Sequence, residues 1–209
     1  MDKFLKNHTT KTKTLDVGCG NSRYSRYFPE TVGFDITKSQ NVDVVGDADL
    51  LPFKDKTFGV VLATELLEHL KEPQRALNEM KRVLWEGGKL ILTTRFIFPL
   101  HDTPHDYYRY TKYGLKYLLR EWGILEIKEE TDTLGCIAVL IQRIAFQCDI
   151  LYFKPFKNLF HIISHIIKHF GFIITKEYGV VHKNILEKNI MTSGYYVVAV
   201  KGRGDVKEK

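Results

Sequence analysis

Cysteine is scarce in this chain, with three in 209 residues at positions 19, 136 and 148. No two have the CxxC spacing of a metal knuckle or a redox pair, so neither zinc site nor disulfide framework is expected. That usage points to a reducing, cytoplasmic compartment. No run reaches the roughly 18 apolar residues that a membrane-spanning helix takes. The opening MDKFLKNHTTKTKT has no apolar stretch of the leader type, so no signal peptide is expected. Charge is not sorted by sign either. The 31 basic and 25 acidic residues are interspersed, giving a net +6 and a pI near 9.1. That balance permits an anionic partner, but there is no concentrated basic stripe to signal a nucleic acid. Repeats and low-complexity segments are absent.

What remains is an ordinary globular composition, 44% hydrophobic and 27% charged, at a length that suits one domain, 1–209. Short β-rich runs at TLDV, TVGFDI (31–36), NVDVVGDA (41–48), FGVVLAT (58–64) and KLILTT (89–94) alternate with segments of helical period. SRYSRYF after the first run can form a short helix. ELLEHLKEPQRALNEMKRVL is helical, interrupted at Pro73, and EGG stops it. TKYGLKYLLREWG is a further helix, with Thr111 placed to cap it and Gly123 to end it. ILEIKEET and GYYVVAVKG read as two late strands. Strands alternating with helices predict an α/β fold with a mostly parallel sheet. Between the late strands lies a helical insertion, about 134–190, whose first part carries few charges. Only Arg143, Asp149, Lys154, Lys157 and Lys168 are charged between Leu134 and Ile174. Two helices separated by Pro155 are expected there. In the second, Leu159, Phe160, Ile162, Ile163, Ile166, Ile167 and Phe170 share one wide face, opposite Asn158, His161, Ser164, His165, Lys168 and His169.

The first run ends in an acid and two glycines, LDVGCG. A strand that closes on Gly-x-Gly and opens a helix lets backbone approach a ligand and presents N–H groups to an anion. Asp35, at the end of the next strand, lies where an acid can accept from a ribose diol. Arg23 holds the place of the third glycine of GxGxxG, which argues against a dinucleotide. The ordered set LDVGCG, VGFDI, GDADLLPFKDKTFGVVLATELLEHL and RVLWEGGKLILTT resembles the class I S-adenosylmethionine-dependent methyltransferases, in particular the type 11 group. That resemblance implies a Rossmann-like, doubly wound seven-stranded sheet, mostly parallel with an antiparallel last strand. It also implies S-adenosylmethionine as cofactor. Asp16, Gly18 and Gly20 would line the methionine end, Asp35 the ribose and Asp47 with Ala48 the adenine, while Thr64 would face the sulfonium. Members of the group often carry helices before the first strand that close the substrate side; this chain has a short polar stretch there.

Methyl transfer to oxygen needs alignment and a proton acceptor, and His is the side chain best suited to the second task. The candidates are His69, His101 and His105. HDTPHDYYRYT follows the fifth strand and is similar to a string in type 11 enzymes of surface-glycan biosynthesis. Within ELLEH, a helix would set Glu65, Glu68 and His69 on one face, a set that could hold a divalent ion. The same spacing resembles the metal sites of small-RNA and ubiquinone-pathway O-methyltransferases; no metal ligand is assigned here. His161, His165 and His169 have helical spacing too and read as a solvated face. The apolar face opposite them packs as a lid or dimer surface in the first expectation, and in a second meets the membrane's inner face peripherally. The sequence therefore predicts a methyltransferase acting on oxygen of a small-molecule or glycan- or lipid-linked acceptor. The alternatives are an RNA or quinone O-methyltransferase using a divalent metal, or a non-catalytic S-adenosylmethionine-binding partner protein.

Overall fold

Strands β1 (Thr14–Val17) and β4 (Phe58–Thr64) are buried at every residue. Burial on both faces is what continuous apolar runs without alternation demand, and it puts these strands at the centre of a parallel sheet. In the computed structural model β1 pairs in parallel with β4 on one side and with β2 (Thr31–Asp35) on the other. Strand β3 (Val44–Val45) extends the sheet beyond β2, and β5 (Leu84–Arg95) beyond β4. With β6 (Trp122–Glu129) and β9 (Gly194–Lys201) the order is β3-β2-β1-β4-β5-β9-β6, seven strands, mostly parallel with one antiparallel. The described residues are all except 22, 23, 25, 150–153 and 203–209, and the side chains of 154–156 are likewise outside the description. Most of SRYSRYF therefore carries no structural statement.

The chain divides into two units. The first comprises Met1–Arg95, Asp102–Lys128 and Tyr196–Lys209, and the second Phe96–His101 and Glu129–Tyr195. In the first unit the polar-looking N-terminus forms a short helix, α1 (Asp2–Lys6), that buries Phe4 and Leu5 in a cluster with Phe28, Leu62, Ile91 and Tyr196. Phe4 stacks on Tyr196 at 4.7 Å between centroids, and the terminal ammonium donates to the Tyr196 hydroxyl at 2.7 Å. Two adjacent apolar residues in a polar run have no period, so the sequence could not announce this helix.

Other boundaries also moved. The ELLEH segment is not part of a long helix: Glu65 follows β4 with φ +53°, Leu67–His69 make one 3-10 turn, and α2 starts at Pro73 (Pro73–Val83). Proline suits a first helical turn because its missing N–H has no partner to lose. The EGG stretch bulges instead of ending an element, since the β4–β5 register jumps from Phe58–Leu84 to Val60–Lys89. Thr111 caps α3 (Lys112–Leu118) by accepting from Gly114 N at 3.0 Å, but α3 ends before Gly123, which lies inside β6. Of the 41–48 run only Val44–Val45 is strand.

The second unit carries α4 (Thr133–Gln147), capped by Asp132, and α5 (Lys154–His169). Pro155 falls in the first turn of α5, where proline is tolerated, and not between the helices. Gln142 of α4 donates to the buried Ser164 hydroxyl of α5 at 3.1 Å. A two-stranded antiparallel ribbon, β7 (Tyr178–Val180) with β8 (Ile185–Leu186), follows. Glu177 ties the ribbon down, accepting from Asn189 N at 2.6 Å and from the Thr133 hydroxyl. Among the described residues no helix is long and apolar enough to cross a membrane.

Candidate active site

Strand order reverses between β1 and β4. In open α/β sheets ligands bind at the carboxyl ends of the strands at such a switch point. The turn after β1 lies there. Gly18 has φ +72° and Gly20 φ +50°, a region that glycine enters without a steric cost. A Cβ on Gly18 would come within 2.8 Å of Leu66 Cδ1, so the turns after β1 and β4 are in contact. At Gly20 nothing lies within 4 Å of the same construction, which leaves its Cα open to approach on that side.

Asp35 closes β2 beside this turn. Its two oxygens accept from Gly20 N and Thr37 N, both at 2.9 Å, which orients the carboxylate and leaves lone pairs for further donors. Asp16 is buried within β1, and Thr64 is buried at the end of β4. Gly46 N donates to Asp35 O at 3.0 Å, bringing the segment that carries Asp47 and Ala48 alongside β2. Asp47 is exposed and takes Asp49 N at 3.0 Å, while Ala48 is buried. Asp16, Gly18, Gly20, Asp35, Asp47, Ala48 and Thr64 thus all fall along one sheet edge, in the first unit. An acid flanked by open glycine backbone fits a ribose diol and an amino-acid moiety, which is what the methionine and ribose parts of S-adenosylmethionine require. Burial pushes the Cys19 thiol between the glycines up to about 12, with the Asp16 and Asp35 carboxylates adding to it.

The loop after β5 is fastened largely by its own polar groups. Asp106, its side chain almost wholly enclosed, binds Arg109 through both oxygens at 2.5 and 2.6 Å, and raises that guanidinium's affinity for its proton. Tyr108 and Tyr110 donate to the carbonyls of Lys71 and Leu67 at 3.0 and 3.2 Å. Burial raises the Tyr110 hydroxyl. Glu68 accepts from Tyr107 N and Tyr108 N through its carbonyl, at 2.8 and 3.2 Å, and from the Thr94 hydroxyl through its side chain, at 2.7 Å. Glu65 accepts from Thr93 and pairs with Arg95. The turn geometry therefore does not set Glu65, Glu68 and His69 on one helical face, and Glu65 is committed to a cation already present.

The three candidate histidines separate into different roles. His69 Nδ1 lies 2.6 Å from the His105 carbonyl, which can only accept, so Nδ1 carries the proton. Its Nε2 is 3.9 Å from Asp102 Oδ2. His69 is thus a strap on the loop. His105 presents an exposed imidazole whose Nδ1 is 3.0 Å from the Tyr107 hydroxyl. His101 belongs to the second unit, where its ring packs edge-on against Phe98 at 5.1 Å.

Reasoning from spacing missed Arg82. This α2 residue donates to the carbonyls of Leu51 and Phe53 at 2.9 and 2.8 Å, to Asp55 at 2.7 Å and to both oxygens of Glu79 at 2.8 Å. It holds the 51–55 stretch that follows Asp47 and Ala48. A basic residue on a helix carries no signal of such a task.

Residues 15–92 match the methyltransferase domain family. An Encephalitozoon cuniculi protein designated a methyltransferase is 39% identical over 103 residues, 43% of this chain and 49% of its own length. A ubiquinone/menaquinone biosynthesis C-methyltransferase of Roseobacter denitrificans is 34% identical over 102 residues, 38% of this chain and 41% of its own. The chain spans about half the length of the first of these relatives. Among solved structures, the [4+2]-cyclase SpnF superposes with a TM-score of 0.61 at 19% identity, covering 97% of this chain and 80% of its own, a likeness of fold alone. The glycine turn, the acid that closes β2 and the sheet order agree with the family match: residues 15–92 carry the core of a methyltransferase domain, and the cofactor that match implies is S-adenosylmethionine.

Proposed function

We propose that the chain transfers a methyl group to a hydroxyl oxygen of a small-molecule or glycan- or lipid-linked acceptor, with His105 as the base. The observation that carries this reading is the fastening of the 102–110 loop. His69 and Glu68 hold its backbone, Asp106 and Arg109 satisfy each other, and the imidazole of His105 is left exposed beside a tyrosine hydroxyl. When bound, S-adenosylmethionine supplies an electrophilic methyl on a sulfonium sulfur. The Asp35 carboxylate, held by Gly20 N and Thr37 N, is set to orient the ribose, and the side-chain-free face of Gly20 leaves room for the amino-acid part. His105 accepts the acceptor's hydroxyl proton as the oxygen–carbon bond forms. In the tautomer that donates its Nδ1 proton to the Tyr107 hydroxyl, its Nε2 lone pair is the accepting site.

The relatives do not select the acceptor. One is named for quinone biosynthesis, and a bovine relative, 30% identical over 103 residues, is named for tRNA. The test is incorporation of labelled methyl from S-adenosylmethionine into separated lipid, glycan and RNA fractions of a cell extract. Label is expected in a methyl ether of the lipid or glycan fraction, and label confined to RNA overturns the reading. His105→Asn should lower incorporation by about a hundredfold or more while S-adenosylhomocysteine affinity stays within about twofold. Unchanged turnover in that variant removes His105 as the base.

A further inference from the structure

We propose that the second unit docks on an anionic lipid surface through α5, with the helix lying in the plane of the interface. Helix α5 has three faces. Phe160, Ser164 and Ile167 turn inward, and Ser164 is fully buried. Asn158, His161, His165, Lys168 and His169 form an exposed polar side. The remaining stripe is apolar and in solvent: Leu159, Ile163, Ile166 and Phe170 follow i, i+4, i+7, i+11, and are 37% to 50% exposed. Phe172 and Ile173, on the next turn, are 77% and 59% exposed. The wide face read from the sequence is therefore split. Its inward edge packs, and the larger part has no cover among the described residues.

Charge decides which occupant this stripe suits. Residues 134–190 hold seven Lys or Arg against three acids, four of the six net positive charges of the whole chain. One of those acids, Glu177, is tied into the fold by Asn189 and Thr133, and another, Asp149, lies 3.9 Å from Lys157. Lys168 is exposed on the polar side of α5, and Lys176 is exposed beyond the end of the helix. A second copy meeting the stripe would set two segments of net charge +4 (seven basic less three acidic) against each other, because a two-fold interface pairs a patch with itself. Anionic headgroups neutralise them while the stripe enters the acyl boundary. At about 1.5 Å per residue α5 reaches about 24 Å, short of the roughly 30 Å hydrocarbon core, so it lies along the surface. This inference is independent of the acceptor and of His105.

The full chain should co-sediment with vesicles of phosphatidylcholine mixed with phosphatidylglycerol. Partition onto vesicles of phosphatidylcholine alone should be weaker by about tenfold or more. Binding should fall as salt shortens the screening length from about 8 Å to about 3 Å. Ile163→Glu with Ile166→Glu should lower partition by at least about tenfold, and Lys168→Glu with Lys176→Glu by about fivefold per site. Both variants should keep their circular dichroism and their S-adenosylhomocysteine affinity. If the isoleucine pair loses helicity, the lysine pair decides alone. Equal binding to neutral vesicles, no binding to anionic ones, or full binding by the lysine pair overturns the proposal. So does a parent dimer without vesicle affinity that the isoleucine pair splits, an outcome that gives the stripe to a second copy.

Discussion

The turn after β1 and the outer stripe of α5 are both recognisable from spacing, one as Gly-x-Gly before an acid-closed strand, the other as isoleucines at helical period. Their surroundings differ. Leu66 fills the space above Gly18, and Asp35 is held by Gly20 N and Thr37 N, so the turn's conformation is fixed by neighbours in the same unit. The α5 stripe has a conformation set by its own helix and no neighbour to cover it among the described residues. A binding edge inside a parallel sheet is specified by the chain itself. An amphipathic face specifies only that something apolar must meet it.

Substitution at the turn is the harshest way to break that contrast. Gly18→Val puts a β-branched side chain at φ +72° and against Leu66, beside the candidate cofactor site. S-adenosylhomocysteine affinity should fall by at least about a hundredfold in calorimetry, while vesicle partition by the second unit is retained. A variant that loses both properties shows that the two regions are not separable.

A smaller effect is expected at Arg82. Arg82→Ala removes the donors that hold Leu51, Phe53, Asp55 and Glu79, and should cost on the order of 2 kcal/mol, about 4–8 °C in melting temperature. Hydrogen bonds from Arg82 hold the Glu79 carboxyl below its ordinary range. A lowered folded value means this contribution is present above pH of about 4.3 and disappears as pH falls through the folded value. The gap between parent and variant should therefore narrow in acid. A gap that widens in acid contradicts the assignment to this pair.

The mildest comparison uses the three thiols. Burial lifts Cys19 to about 12 and, with Glu130, Cys136 to about 11, so neither is ionised near pH 8. Cys148 is exposed. Maleimide at that pH should label Cys148 first, with Cys19 and Cys136 protected until the protein unfolds. Rapid labelling of Cys19 in the native state means that the turn opens, and the contrast with α5 weakens.

Much of the sheet was legible because β1 and β4 are apolar runs buried on both faces, and their glycine and acid ends punctuate them. The α1 helix was not, since Phe4 and Leu5 stand alone among polar residues. Gly123 read as a helix stop and is a strand residue, and EGG read as a stop and is a bulge. Both depend on pairing with strands far away in sequence. The candidate cofactor residues could be listed in order because each lies near or just after the carboxyl end of a strand. The division of labour among His69, His101 and His105 could not.

By itself the sequence determined the alternation of strands and helices, the glycine turn and its acids, and the amphipathic helices of the insertion. Those features arise from neighbours in the chain, through backbone freedom and the period of apolar residues. Only the tertiary structure decided that Glu65 belongs to Arg95, that His69 is a strap while His105 stays exposed, and that α5 turns Ser164 and Ile167 inward and Ile163 and Ile166 out. A carboxylate, an imidazole or a helix face can satisfy several partners equally well, and which one it meets is settled by the packing of distant segments.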